Sequence, residues 1–202
     1  FALLHSVANK RASQYGQYYY PSDFKPNAGW ADYYGNEDFY LNYPADERKA
    51  WNYMTEWNSK KGFVNYKESA DKLPAISKYY DYNDGAPGKS QLSNGMTCIY
   101  RYAEVLLTYA EASTRATNSV NPQALAAIQA IQKRAGYADE KLTQTTEPAA
   151  FLKAVSDERG WEFFADMKRW FELVRLEKVK EVKPGQWENS FFKMHNHYYL
   201  PI

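Results

Sequence analysis

The chain has 202 residues, 45% of them hydrophobic, and its 25 basic and 24 acidic residues leave a net charge of +1. That length closes one core and leaves little for a second independent domain, and the even mixing of charge excludes a nucleic-acid footprint, which needs a basic patch or stripe. The single cysteine, Cys98, excludes an internal disulfide framework and a cysteine-built metal site; it reads as a small buried hydrophobe.

The 19 Tyr, 6 Trp and 10 Phe residues make 17% of the chain, while the mean hydropathy stays at -0.72. Tyrosine reconciles the two, because its ring packs like a hydrophobe and its hydroxyl keeps a polar handle, a combination suited to half-wet recognition surfaces as well as to cores.

In chain order, residues 1–97 carry Pro21, Pro26, Pro44, Pro74 and Pro87 and clusters of Asn, Asp and Ser between short aromatic runs. This half reads as long structured loops with a few short elements. One is a helix over Asp46 to Trp57, where Ala50, Met54 and Trp57 follow helical spacing. Loops of this length are functional or disordered, and the density of rings argues for function.

From Ile99 the pattern turns helical. Ile99, Ala103, Leu106 and Ala110 predict a helix to about Arg115, with Glu111 and Arg115 paired across one turn. Asn121 reads as an N-cap and Pro122 as the first residue of a second helix. Its stripe is Ala124, Ile128, Ile131 and Ala135, and its stop is Gly136. Together they form a helical hairpin like one tetratricopeptide unit. A third helix starts after Thr146, with Pro148 in its first turn, and runs through Phe151, Leu152 and Val155 to Phe164. A fourth spans Met167 to about Glu177, with Met167, Trp170, Phe171 and Val174 on one side. After Lys183-Pro184-Gly185 the chain is extended again and holds His195 and His197, a pair for which no third metal ligand is indicated.

The segment Tyr100-Arg101-Tyr102-Ala103-Glu104-Val105-Leu106-Leu107-Thr108-Tyr109-Ala110-Glu111-Ala112 resembles the signature helix of SusD/RagB-like nutrient-binding lipoproteins. Other segments resemble that family in the same order: Pro44 to Arg48, Lys78-Tyr79-Tyr80-Asp81, Arg134-Ala135-Gly136, Glu158-Arg159, Arg169 to Arg175, and Tyr199-Leu200-Pro201-Ile202. Departures are Gly160-Trp161, and Ala165-Asp166 where the family has Glu-Gly at a bend. The resemblance implies a mainly α, SusD-like fold of helical hairpins packed with long irregular loops. It also implies an outer-membrane, outward-facing lipoprotein that captures oligosaccharides, or in some members peptides, for a SusC-like TonB-dependent transporter. No cofactor and no enzymatic activity are implied. This chain would be the C-terminal portion, with the tetratricopeptide-like helices completed by a missing N-terminal part.

The expected organisation is a loop-rich aromatic region over 1–98 and a helical core over 99–202, together one structural domain. The chain opens at Phe1 without a basic, then apolar leader, and no stretch approaches the roughly 18 apolar residues of a membrane span. That predicts either a cytosolic protein or a chain whose targeting segment and lipid anchor are absent; the start without Met favours a fragment or processed chain.

Ligand-binding candidates lie in the loop half. Trp30, Tyr33, Tyr34, Tyr18 and Tyr20 supply rings for the apolar face of a sugar, and Asn27 and Asp32 supply groups for its hydroxyls. Trp30 leads, the alternative being that it anchors the loop to the core. Tyr18 to Tyr20, if extended, alternate sides, so at most two share a face. Glu104, Arg101, Glu158 and Arg159 read as ion pairs on or between helices. Three functions remain open: a glycan-binding transporter partner, a glycosidase with carboxylates across a cleft, and a helical scaffold that binds only protein.

Overall fold

The computed structural model describes residues 1–25, 28–80 and 93–179. Asn27, Asp81, His195, His197 and the closing Tyr199 to Ile202 lie outside the described residues. The chain divides into two compact units, Phe1–Glu162 and Phe163–Ile202.

The chain is mainly helical, as the pattern predicts. In the first unit the order is β1 (Ala2–Leu4), α1 (Tyr15–Tyr19), α2 (Glu37–Leu41), α3 (Glu47–Asn52), β2 (Tyr53–Met54), β3 (Glu56–Ser59), β4 (Gly62–Asn65), β5 (Ala75–Ile76), β6 (Met96–Cys98), α4 (Tyr102–Thr117), α5 (Pro122–Arg134) and α6 (Pro148–Glu162). Among the described residues the strands form three two-stranded antiparallel ladders, β1 with β6, β2 with β5 and β3 with β4.

The helical hairpin follows the sequence closely. The Asn121 side chain accepts the Ala124 N–H at 2.7 Å, Pro122 opens α5, and Gly136 takes φ +88° just past its end. Ala124, Ile128, Ile131 and Ala135 are all buried, and the Glu111–Arg115 pair closes at 2.9 Å. Helix α4 packs on both α5 and α6. Its stripe differs from expectation: Ala103, Leu107, Ala110 and Thr114 are buried, and the helix starts at Tyr102. Ile99 is lost to the helix because its N–H donates to the Phe1 carbonyl at 2.9 Å, at the end of the β1–β6 ladder. The Leu106-Leu107 doublet fits either register in sequence, and only Leu107 is buried. Helix α6 begins as expected. The Glu147 carboxylate accepts the Ala149 and Ala150 N–H groups at 3.0 and 2.5 Å, bonds that hold its carboxyl below the usual range.

The helix expected over Asp46 to Trp57 is shorter. It ends at Asn52, and Trp57 lies in β3, whose residues alternate exposed and buried from Glu56 to Ser59. Period-two alternation wins there because the Trp57 ring joins a core of Tyr20, Phe24, Tyr66 and Ala75 while its indole N–H donates to Asp23 at 2.8 Å.

In the second unit α7 (Arg169–Arg175) is shorter than the Met167 to Glu177 expected, and Leu173, Val174 and Val179 cluster. The bend before it places Ala165 at φ +58° and Met167 at φ +60°, the left-handed region that costs a residue with a Cβ about 1–2 kcal/mol. Ala165→Gly is therefore expected to raise stability by about 0.5–1 kcal/mol, the relief less the added chain entropy of glycine, read as an upward shift of the chemical denaturation midpoint.

Candidate ligand surface

A loop over residues 29–33 packs against the end of α1. The last turn of that helix leaves backbone carbonyls without helical partners, and residues 30–33 supply them. Trp30 N–H donates to Gln17 O at 2.6 Å, Ala31 N–H to Tyr20 O at 3.1 Å, and the Asp32 and Tyr33 N–H groups to Tyr18 O at 3.0 and 3.2 Å. Ala31 adopts φ +57° between Trp30 and Asp32, a left-handed non-glycine residue of the kind that collects at ligand-handling loops. The approach is close: a Cβ on Gly29 would stand 2.0 Å from the Tyr20 carbonyl oxygen. Gly29→Ala must push the loop off α1, and about 3 kcal/mol of stability is expected to be lost, seen as a lowered unfolding midpoint.

With the loop fixed this way, the rings form a continuous run. Trp30 meets Tyr18 edge-on at 5.1 Å, Tyr18 meets Tyr33 at 6.4 Å, and Tyr33 meets Tyr19 at 5.8 Å. Tyr19 stacks on Tyr79 at 5.6 Å, and Tyr79 meets Tyr15 at 4.9 Å. Trp30 and Tyr33 are the open members, 52% and 57% exposed, and Asp32 stands exposed between them in sequence. Beside Tyr18 lies an open recess of about 260 Å³ lined by His5, Ala12, Ser13, Gln14, Tyr15 and Tyr18.

The structure thus brings together Trp30, Tyr33, Tyr18 and Asp32 of the candidates from sequence. Two others leave the set. Tyr20 is 1% exposed, inside the Trp57 core, so neither ring face is open to a ligand. Tyr34 packs against the same core and donates its hydroxyl to Asp71 at 2.6 Å; burial, then that bond, pushes the phenol pKa upward. The alternation expected for Tyr18 to Tyr20 does not apply, because Tyr18 and Tyr19 are helical. Sequence reasoning missed Tyr79 and the recess. The Lys78-Tyr79-Tyr80 run was visible, but nothing in it shows that Tyr79 reaches Tyr19 across some 60 residues.

A second polar cluster joins the loop half to the helices. Arg48, positioned after the Asp46 N-cap of α3, binds Asp46 at 2.6 Å, Glu158 at 2.7 Å and Glu162 at 3.0 Å. Arg101 and Arg134 each reach Glu162 at 2.5 Å. Burial raises the pKa of Glu158. Burial works the same way on Glu162, but the Arg134 hydrogen bond and the charges of Arg101 and Arg134 outweigh it and hold that carboxyl below the usual range. Glu158 is fully buried and paired with Arg48, and Glu162 is held by three arginines, the arrangement of a structural clasp. Of the ion pairs expected on or between helices, Glu158 pairs with Arg48 and Arg101 with Glu162.

The sequence pattern of the SusD family matches residues 6–200. The chain belongs to the SusD family. Among curated proteins it is similar to SusD-like protein P2 of Formosa agariphila, 27% identical over 189 residues that cover 86% of this chain and 37% of that protein. Among solved structures it resembles a SusD superfamily protein from Parabacteroides distasonis, with a TM-score of 0.70, 24% identity and coverage of 87% of this chain and 38% of the other. Surface glycan-binding protein A from Bacteroides uniformis gives a TM-score of 0.65 at 26% identity, covering 83% and 36%. The chain therefore spans less than half the length of each of these proteins.

Proposed function

We propose that this chain is the glycan-contacting part of a nutrient-binding SusD protein, and that the Trp30–Tyr18–Tyr33 ring surface is where the oligosaccharide lies. The observation that carries the reading is the pair of open rings, Trp30 and Tyr33, held on a loop whose backbone is fixed to α1. Flat rings cover the C–H face of a pyranose, and the Asp32 carboxylate beside them accepts from its hydroxyls. Membership of the SusD family and the likeness to a surface glycan-binding protein support the same ligand class. The whole protein would sit as a lipid-anchored, outward-facing component of the outer membrane and hand its glycan to a SusC-like TonB-dependent transporter.

Binding is favoured over hydrolysis because a glycosidase sets two carboxyl groups about 5–10 Å apart across a cleft, and among the described residues no carboxylate lines the recess beside Tyr18. Exposed rings on the surface likewise favour a sugar over a purely protein-binding helical scaffold. The test is a titration of neutral oligosaccharides of two to six gluco-, xylo-, manno- or galacto-configured units, followed by tryptophan fluorescence and calorimetry. Saturable binding of at least one series is expected; no binding by any of them would defeat the reading.

A further inference from the structure

The recess beside Tyr18 is lined, among the described residues, by polar and aromatic side chains and one methyl group. Gln14 offers an amide, His5 an imidazole, Ser13 a hydroxyl, Tyr15 and Tyr18 rings with phenol groups, and Ala12 a methyl. Among the described residues the lining has both donors and acceptors and no carboxylate, ammonium or guanidinium, so the complement of that lining is a neutral, hydroxyl-bearing molecule. Its walls are held in place. The His5 Nε2 lies 2.9 Å from Thr97 Oγ1, and Ser13 exchanges two backbone hydrogen bonds with Ser93 at 2.9 and 3.1 Å. Tyr15 is braced by its contact with Tyr79 at 4.9 Å.

At about 260 Å³ the recess falls just under the roughly 300–1,000 Å³ of sites that engulf a drug-sized ligand. It therefore has room for one sugar ring and not for a chain. Tyr18 connects it to the surface described above, since the same side chain lines the recess and meets Trp30 edge-on at 5.1 Å. A molecule lying on Trp30 and Tyr33 thus has a neighbouring place to turn into.

We propose that the recess is a second sugar subsite. In this reading, which rests on the ring surface being the glycan site, one neutral pyranose stacks on Trp30 and Tyr33. The adjoining unit, at a chain end or a branch, seats in the recess with its hydroxyls on Gln14 and His5. The preferred substrate is accordingly a neutral glycan of two or more units.

Calorimetry with the full chain and the same two-to-six-unit neutral oligosaccharides tests this with three variants. Ala12→Trp fills the recess, and Gln14→Ala removes its amide at an exposed position whose side chain makes no capping bond. Trp30→Ala reports on the ring surface. For the tightest-binding oligosaccharide, affinity is expected to fall about tenfold in Ala12→Trp and about fivefold in Gln14→Ala. If Ala12→Trp misfolds by circular dichroism, Gln14→Ala decides alone. Wild-type affinity in the recess variants together with loss in Trp30→Ala overturns the subsite and leaves the ring surface standing. Unchanged affinity in Trp30→Ala, or no binding by the wild-type chain, overturns both.

Discussion

Replacing Arg48 with Ala is expected to lower the unfolding free energy by about 3–5 kcal/mol, the scale for removing one partner of a buried ion pair. That is a large share of the about 5–15 kcal/mol that holds a typical domain together. Arg48 spans three carboxylates, with Nη1 at 2.7 Å from Glu158 and 3.0 Å from Glu162 and Nη2 at 2.6 Å from Asp46. Glu162 keeps Arg101 and Arg134 when Arg48 is gone. Glu158 keeps the Gln132 amide at 3.4 Å, too weak a donor to hold a charge that is wholly out of water.

The loss depends on pH, and its direction follows from Glu158. Its folded-state pKa is already raised above the ordinary 4.5 by burial, and losing Arg48 raises it further. A group raised in the folded state contributes stability that is fully present below its unfolded pKa and is lost as pH rises through the folded one. The Arg48→Ala deficit should therefore be smallest below about pH 4.5 and grow toward neutrality. Adding Glu158→Gln to Arg48→Ala should recover part of the loss at pH 7, because the stranded charge is gone. Urea denaturation of the four chains of this cycle at pH 4 and pH 7 measures both effects; a deficit independent of pH would show that Glu158 is not the group left stranded.

Binding should respond elsewhere. Trp30→Ala is expected to weaken oligosaccharide affinity about 30-fold or more, the effect of truncating an aromatic anchor worth about 2 kcal/mol, with little change in stability because the indole is half exposed. Tyr33→Ala should cost about tenfold on the same reasoning. Tyr34→Phe should leave affinity unchanged, since its hydroxyl is engaged with Asp71 and its ring with the core. Calorimetric titration of the three variants gives the ranking, and an affinity loss in Tyr34→Phe equal to that in Trp30→Ala would move the site.

The helical hairpin was legible because its signals are local. Asn121, Pro122, the stripe from Ala124 to Ala135, and Gly136 each act within a turn or two, and the structure uses every one. The aromatic half was legible only as composition. Tyr18, Tyr20, Trp30, Tyr33 and Tyr34 look alike in sequence, yet what separates an open ring from a core ring is the set of backbone bonds from residues 30–33 onto the end of α1. Trp57 fits helical spacing and lies in a strand because its core partners, Tyr20 and Phe24, come from more than 30 residues away. Arg48 shows the same limit from the other side. The Pro44 to Arg48 segment was recognised, but its partners Glu158 and Glu162 lie over 100 residues on, and no pattern within the segment announces them.

The most direct test is calorimetric titration of the tightest-binding neutral oligosaccharide into the Trp30→Ala, Tyr33→Ala double variant, with its fold matched to the wild-type chain by circular dichroism. Loss of detectable binding is the predicted result. Affinity within about twofold of the wild-type chain would contradict the assignment of the ring surface as the glycan site.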